Sequence, residues 1–365
     1  MDPTTRESTE SAAAAVRRRR RILRRVVQLT IATLGVALAW RLVQSLSWAQ
    51  LEERIRQAQP ALLAAAIVLL LTRWYFWQAR WGRSLARAGL HGSVLRRSAA
   101  LMASVFINHV ALRFFGGVLR ARYMAAGRAE DFPRQYGIVL FDQLMHQTAT
   151  TVFTWLAIAY VFFFLGYTGW GWTALVTLIA LLAAIPLVIG RKGWLRQMAA
   201  RAAERAARSK RLHGLLHHGS AIPRVMAKLV ASAPHVTQAA VLTWLFIAAN
   251  VLAQWLLFRS IGADVPLLVV ASVLGIGSVI GTLTGLPGGL GPMEAALIGG
   301  YDLMGVGRLE AVAGTLLYRG LHYILVLALG LPSLITVELG LERARARGGN
   351  VETGATGHSD PPPPV

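Results

Sequence analysis

The chain has 365 residues, of which 55% are hydrophobic and 15% charged, and its mean hydropathy is +0.49. A soluble globular domain is about a quarter charged, so a water-facing surface of ordinary size is excluded, and the apolar residues come in blocks about 17–25 long, enough to cross roughly 30 Å of hydrocarbon. The net charge of +21 is no nucleic-acid footprint, because the arginines lie between apolar blocks as the positive-inside rule places them; the lack of cysteine excludes disulfides, thiolate metal sites and cysteine nucleophiles.

Residues 1–16 are polar and alanine-rich and lead into a basic run over 17–25, which predicts a cytoplasmic tail, disordered at its start, whose arginines lie against anionic lipid. The apolar run that follows reads as a retained first span, 26–46, and not as a cleavable signal. The charge-balanced stretch 47–59 suits the outer side. A second span over 60–79 ends in Trp74, Tyr75, Phe76 and Trp77, which reads as an interfacial belt, and Arg80, Arg83, Arg87, Arg96 and Arg97 mark a cytoplasmic loop.

The block 98–112 is short and has basic residues on both sides, so it is predicted to dip in and return as a re-entrant segment. A long helix over 137–165 follows, then a return over 173–190. Residues 191–228 carry ten Lys/Arg against one acid, Glu204, and predict a helix lying on the inner leaflet within a basic loop, 191–236. Blocks at 237–258 and 265–285 come next, the second breaking at Leu286-Pro287-Gly288-Gly289-Leu290-Gly291-Pro292. A shorter helix over 293–305 and a last span over 310–337 complete the membrane domain, 26–340, before a disordered cytoplasmic tail, 341–365. The fold class is therefore all-α, a polytopic membrane helix bundle of about eight transmembrane helices plus a re-entrant segment, with both termini cytoplasmic.

Ionisable groups at mid-bilayer cost about 2.5–3.5 kcal/mol each on insertion scales, so each needs a reason. Gly288, Gly289 and Gly291 open the backbone at membrane depth, and the helix after them starts with Pro292 and Glu294. Its free N–H groups make an anion site of the kind transporters place at broken helices, whereas the plainer reading is a tight turn with Glu294 capping its own helix. Arg319, His322 and Tyr323 share one helical face. Arg319 is either half of a buried pair with Glu294 or Asp302, or a phosphate contact. Asp142 and His146, four residues apart, are either a proton relay or a hydrogen-bonded pair. Asn108, His109 and Arg113 belong to the re-entrant block, and Asn250 with Gln254 reads as interhelical hydrogen bonding. No metal spacing, catalytic triad, P-loop or dinucleotide fingerprint is present, so neither cofactor nor metal is expected.

The run 286–291 with Glu294, then Gly305-Val306, then Leu316-Leu317-Tyr318-Arg319 and Tyr323, resembles the transmembrane domain of lysylphosphatidylglycerol synthases, the flippase-like or UPF0104 family. That family's C-terminal signature is a Pro-Gly-Gly-Leu-Gly stretch, two residues, Glu, and a later Tyr-Arg. Upstream, Asn108, Phe114-Phe115-Gly116-Gly117 and Arg120 match more loosely. Val118 stands where the family often has an acid, and Asp142-Gln143 takes the place of a Glu-Arg pair.

The resemblance implies lipid handling: a flippase for an anionic phospholipid or polyprenyl-linked lipid in a bacterial inner membrane. Its substrate site would draw on Arg319, Glu294, the glycine break, Tyr323, His322, Asn108, Arg113 and Arg120, with Asp142 and His146 as coupling candidates. Aminoacyl transfer is not expected, because no stretch is long enough for a soluble synthase domain, and the chain is not read as an enzyme. The other reading is a non-transporting subunit that supports an envelope-lipid synthetic enzyme. Membrane lipid, such an enzyme and a second copy of the chain are the partners these readings admit; nucleic acid is not.

Overall fold

A computed structural model describes residues 48–110, 115–125, 131–190, 221–284 and 286–354. The predicted first span, the tail before it, Arg113, most of the basic loop and the last eleven residues, 355–365, fall outside them. Among the described residues every regular element is helical: α1 (Trp48–Arg56), α2 (Pro60–Arg87), α3 (Val94–Val110), α4 (Phe115–Met124), α5 (Phe132–Phe164), α6 (Thr168–Gly190), α7 (Ala221–Val230), α8 (Ala233–Ser260), α9 (Leu267–Leu283), a single 3-10 turn (Pro287–Gly289), α10 (Pro292–Leu303) and α11 (Arg308–Gly354). Four of them, α2, α5, α8 and α11 over 308–342, are long and apolar enough to cross a membrane. The protein is an all-α membrane helix bundle.

Proline sets several helix starts. α2, α5, α8 and α10 each carry one in their first two positions, where the missing N–H is not needed and φ is already helical. Lipid tails are as apolar as the side chains, so helices associate through close fit rather than burial from water. The broadest contact is α2 on α8, and both helices bury small residues, Ala66 on α2 and Ala239, Ala249 and Ala253 on α8. The backbone N–H of Gln59 donates to the carbonyl of Ser260 at 2.8 Å, so the start of α2 and the end of α8 lie on one side of the bundle.

That bond fixes the relation of two helical hairpins. The first, α3 and α4, enters from the side where α2 ends. The second, α9 and α10, enters from the side where α8 ends, which is the opposite one. The 17 residues of α9 and 12 of α10 span about 25 and 18 Å, short of a full crossing. The segments read from sequence as two successive crossings, 265–285 and 293–305, are instead the arms of this second hairpin. The re-entrant block at 98–112 corresponds to α3, the first arm of the other. The two tips meet: α3 touches the 3-10 turn, and a Cβ added at Gly288 would lie 3.2 Å from His109.

Both tips depend on glycine. Gly288, Gly289 and Gly291 have φ of 59°, 68° and 87°, a region closed to most side chains. At the other tip, Asn108 Oδ1 accepts the Gly116 N–H at 3.1 Å, and a Cβ on Gly116 would fall 2.2 Å from the Ser104 carbonyl. Gly116→Ala must therefore push α4 off α3; we expect it to cost about 2 kcal/mol, read as a lower melting temperature in detergent, and an unchanged melt would refute the packing.

Apolar contacts form two main clusters. One gathers Leu51, Val251, Phe258, Ile298 and Tyr301, the other Trp81, Leu85, Leu101, Phe141 and Leu229. At its far end α11 stays helical to Gly354, past the predicted span end at 337 and into the segment expected to be a disordered tail.

Candidate functional site

A cavity of about 670 Å³ opens where the hairpin tips meet α2, α5, α8 and α11. It is the size of a small-molecule pocket, and its wall includes Arg73, Asn108, His109, Asp142, Arg319 and His322.

One wall is the glycine break. Arg319 Nε donates to Glu294 Oε1 at 2.5 Å, while its Nη2 donates to the Gly288 carbonyl at 2.8 Å and to the Tyr323 hydroxyl at 2.6 Å. Its Nη1 lies 3.2 Å from the sulfur of Met293. Glu294 Oε2 accepts the Gly291 N–H at 2.8 Å, which caps α10. Both plain readings of these residues therefore hold at once: Glu294 caps its helix, and Arg319 pairs with Glu294, not Asp302. The guanidinium is a rivet that fastens the break to α11.

The floor is a second cluster. Asp142 Oδ1 accepts from Arg80 Nε at 2.7 Å, and Oδ2 accepts from Trp77 Nε1 at 2.6 Å and Arg120 Nη2 at 3.1 Å. All three charged groups are at most 2% exposed. With both oxygens occupied by two guanidiniums and an indole, Asp142 acts as a structural counter-ion. His146 is stacked on Trp77, with ring planes 7° apart, and so lies beside the indole that donates to Asp142. Arg120 likewise serves this cluster, with its guanidinium over the rings of Trp77 and Trp81.

The third element was not singled out from sequence. Arg73, 4% exposed, donates through Nη1 to Asn250 Oδ1 and through Nη2 to His322 Nδ1; its Nε has no partner. No carboxylate pairs with it among the described residues. Tyr318 holds Asn250 from the other side at 3.1 Å. Arg80, taken from sequence as a loop marker, is buried in the floor. The expected belt is also redistributed, since Trp74 is buried and Trp77 lines the cavity, while Tyr75 alone of these three is well exposed.

The hydrogen bonds assign both imidazoles. His109 Nδ1 lies 2.7 Å from the Val105 carbonyl, which can only accept, so Nδ1 carries the proton and Nε2 is the acceptor. His322 Nε2, 2.9 Å away, must then donate to it, leaving His322 Nδ1 to accept from Arg73. The Arg73 guanidinium and the rings of His322 and His109 form a directed chain that joins α2, α11 and α3 across the hairpin tips.

The charge balance follows. Among the described residues Arg73, Arg80, Arg120 and Arg319 share this interior with Asp142 and Glu294, an excess of two positive charges. Towards the lipid, polar side chains continue outward: Gln143, Gln147 and Thr150 on α5 face the same cavity as Ser278 and Thr282 on α9. Gln143 and Gln147 are exposed on a helix that is otherwise a membrane span. This is a polar slot in the side of the bundle.

Of the residues expected at the site, the structure brings Arg319, Glu294, the three glycines, Tyr323, His322 and Asn108 to the hairpin tips. It sets Asp142, His146 and Arg120 at the floor, and Arg113 lies outside the described residues. Among the described residues no group of three His, Asp or Glu is placed to hold a metal ion.

Residues 25–330 match the family described as the lysylphosphatidylglycerol synthase TM region. A protein of Methanothermobacter thermautotrophicus described as a UPF0104 membrane protein is 21% identical over 316 residues, covering 82% of this chain and 93% of that one.

Proposed function

The chain belongs to the lysylphosphatidylglycerol synthase TM-region family, and on that premise we propose that it moves a phosphate-bearing lipid between leaflets. One observation carries the reading: a cavity among the spans where, among the described residues, positive charge is in excess and Arg73 has no carboxylate partner. An uncompensated guanidinium in low dielectric is costly, and a phosphate headgroup would supply its missing counter-ion. The slot between α5 and α9 gives the headgroup a polar path while the acyl or prenyl tails remain in lipid. The hairpins, entering from opposite sides and touching at their tips, supply the two closures that alternating exposure needs.

In this reading the protein is a transporter and not an enzyme. It sits in a bacterial plasma membrane with the ends of α2 and α11 cytoplasmic, next to an enzyme of envelope-lipid synthesis that makes or uses the lipid. Reconstitution in vesicles with a fluorescent phosphatidylglycerol tests it. Dithionite should reach inner-leaflet probe in proteoliposomes and not in empty vesicles. The pair Gln147→Leu and Thr150→Val, which makes the slot apolar, should slow the exchange about tenfold. Equal rates with and without protein would overturn transport and favour the supporting-subunit reading.

A further inference from the structure

We infer that His109 is a proton-binding site and that its hydrogen bond to His322 is a latch, closed while both rings are neutral and opened by one added proton. The latch ties the tip of the first hairpin to α11, one turn from the place where Arg319 fastens the second. It is a property of the hairpin tips themselves; its effect on lipid movement rests on the transport reading above.

The tautomers decide where the proton goes. His109 Nδ1 donates to the Val105 carbonyl at 2.7 Å. His322 Nδ1 accepts from Arg73, whose guanidinium does not give up its proton. The lone pair that remains is His109 Nε2, and it accepts the His322 Nε2–H at 2.9 Å. A further proton must therefore enter where that hydrogen bond lies, setting N–H against N–H. His322 cannot shift its own proton to Nδ1 in relief, because the Arg73 N–H already points there. His109 is half-buried and lines the cavity, so a proton reaches it from that side.

The surroundings push the same way. On α2, Arg73 faces His322, with Trp74 beside it. On α11, Tyr318 stacks on His322, Tyr323 stands edge-on to His109, and Arg319 covers Tyr323. On α10, Glu294 is paired with Arg319, and α8 presents the neutral Asn250 to Arg73. At the floor, Arg80 of α2 and Arg120 of α4 hold Asp142 of α5, where His146 also lines the cavity. A proton on His109 thus joins the charges of Arg73 and Arg319, and like-charge repulsion adds to the lost hydrogen bond in parting α3 from α11. An anionic headgroup in the cavity offsets the new charge, so headgroup and proton favour each other's entry. Histidine protonation switches interfaces in this way, by a local charge acting on a contact with two arrangements.

The first test reads the latch without lipid movement. The chain has no cysteine, so spin labels on Val110→Cys and Leu290→Cys, both exposed at the two tips, report tip separation alone. In detergent their distance should lengthen as the pH falls from about 8 to about 5, the range in which an ordinary histidine takes up its proton. His109→Gln offers an amide oxygen to the His322 N–H but takes no proton, and should hold the distance constant. An unchanged distance with His109 present, or the same lengthening in His109→Gln, overturns the latch. Should His109→Gln not fold, the pH series with His109 present decides alone.

The second test follows a short-chain fluorescent phosphatidylglycerol in proteoliposomes, with equal pH on both sides and albumin extraction as the readout. Its phosphodiester keeps its charge across the same range, so only the protein titrates. Exchange should quicken about tenfold towards the acid end, lose that dependence in His109→Gln, and keep it in His146→Gln. Loss of the dependence in His146→Gln would move the proton site to that ring and overturn the assignment to His109. Exchange at one rate across the range refutes the latch as a control on transport. Tips that part on acidification with no lipid moving at any pH overturn transport and leave the latch standing.

Discussion

The Asp142→Asn protein is expected to lose about 3–5 kcal/mol of stability and to yield little folded material in detergent. The substitution keeps the side chain's shape and removes only its charge. Asp142 is 1% exposed and faces two guanidiniums that are each 2% exposed, so the asparagine leaves two buried cations with no counter-ion. A loss of that size is a large share of the ordinary 5–15 kcal/mol of a folded domain. Arg120→Met should cost far less, because it leaves a one-to-one pair between Arg80 and Asp142 and places an apolar chain between Trp77 and Trp81. Combining it with Asp142→Asn should recover part of the loss. Thermal unfolding followed by tryptophan fluorescence reads all three proteins. A melting temperature for Asp142→Asn equal to wild type would refute the counter-ion role.

The fold was legible where local patterns decide it. Apolar block lengths located the four long spans, and the Pro-Gly-Gly-Leu-Gly run located the break, because no helix continues through glycines of positive φ. Glu294 and Arg319 were visible as intramembrane charges, though pattern alone could not choose between a rivet and a ligand. Arg73 and Arg80 were missed for a physical reason. The positive-inside rule treats arginine as a boundary marker, but α2 runs on to Arg87, so Arg80 lies two turns before its end, inside the bundle. The partners are also remote: Arg80 meets Asp142 62 residues away, and Arg73 meets His322 249 away.

A usable signal was present all the same. Leu70, Arg73, Trp74, Trp77, Trp81 and Ser84 recur at helical spacing on one face, and Tyr75 falls on the other. A belt would ring the helix, whereas this stripe faces the protein. The second hairpin was obscured in a different way, since a broken apolar segment reads as two crossings until each arm's length is compared with the bilayer.

Arg319→Ala and Glu294→Ala, alone and together, should show strong coupling. Either single change leaves a partner buried and unpaired: Glu294 without its cation, or Arg319 without its anion, at 14% and 7% side-chain exposure. Arg319→Ala also strips the Gly288 carbonyl and the Tyr323 hydroxyl of a donor, and Glu294→Ala leaves the Gly291 N–H uncapped. Each single protein should lose about 3 kcal/mol, and the double should lose less than the sum by 1–3 kcal/mol, since residues in one network are non-additive. The transport assay then separates the two roles. A rivet predicts that the double protein, once folded, still binds short-chain phosphatidylglycerol through Arg73 while exchanging it slowly, because the second hairpin is no longer tied to α11. A direct phosphate contact at Arg319 predicts that binding itself is lost. Additive stability losses together with abolished binding would move the receptor from Arg73 to Arg319.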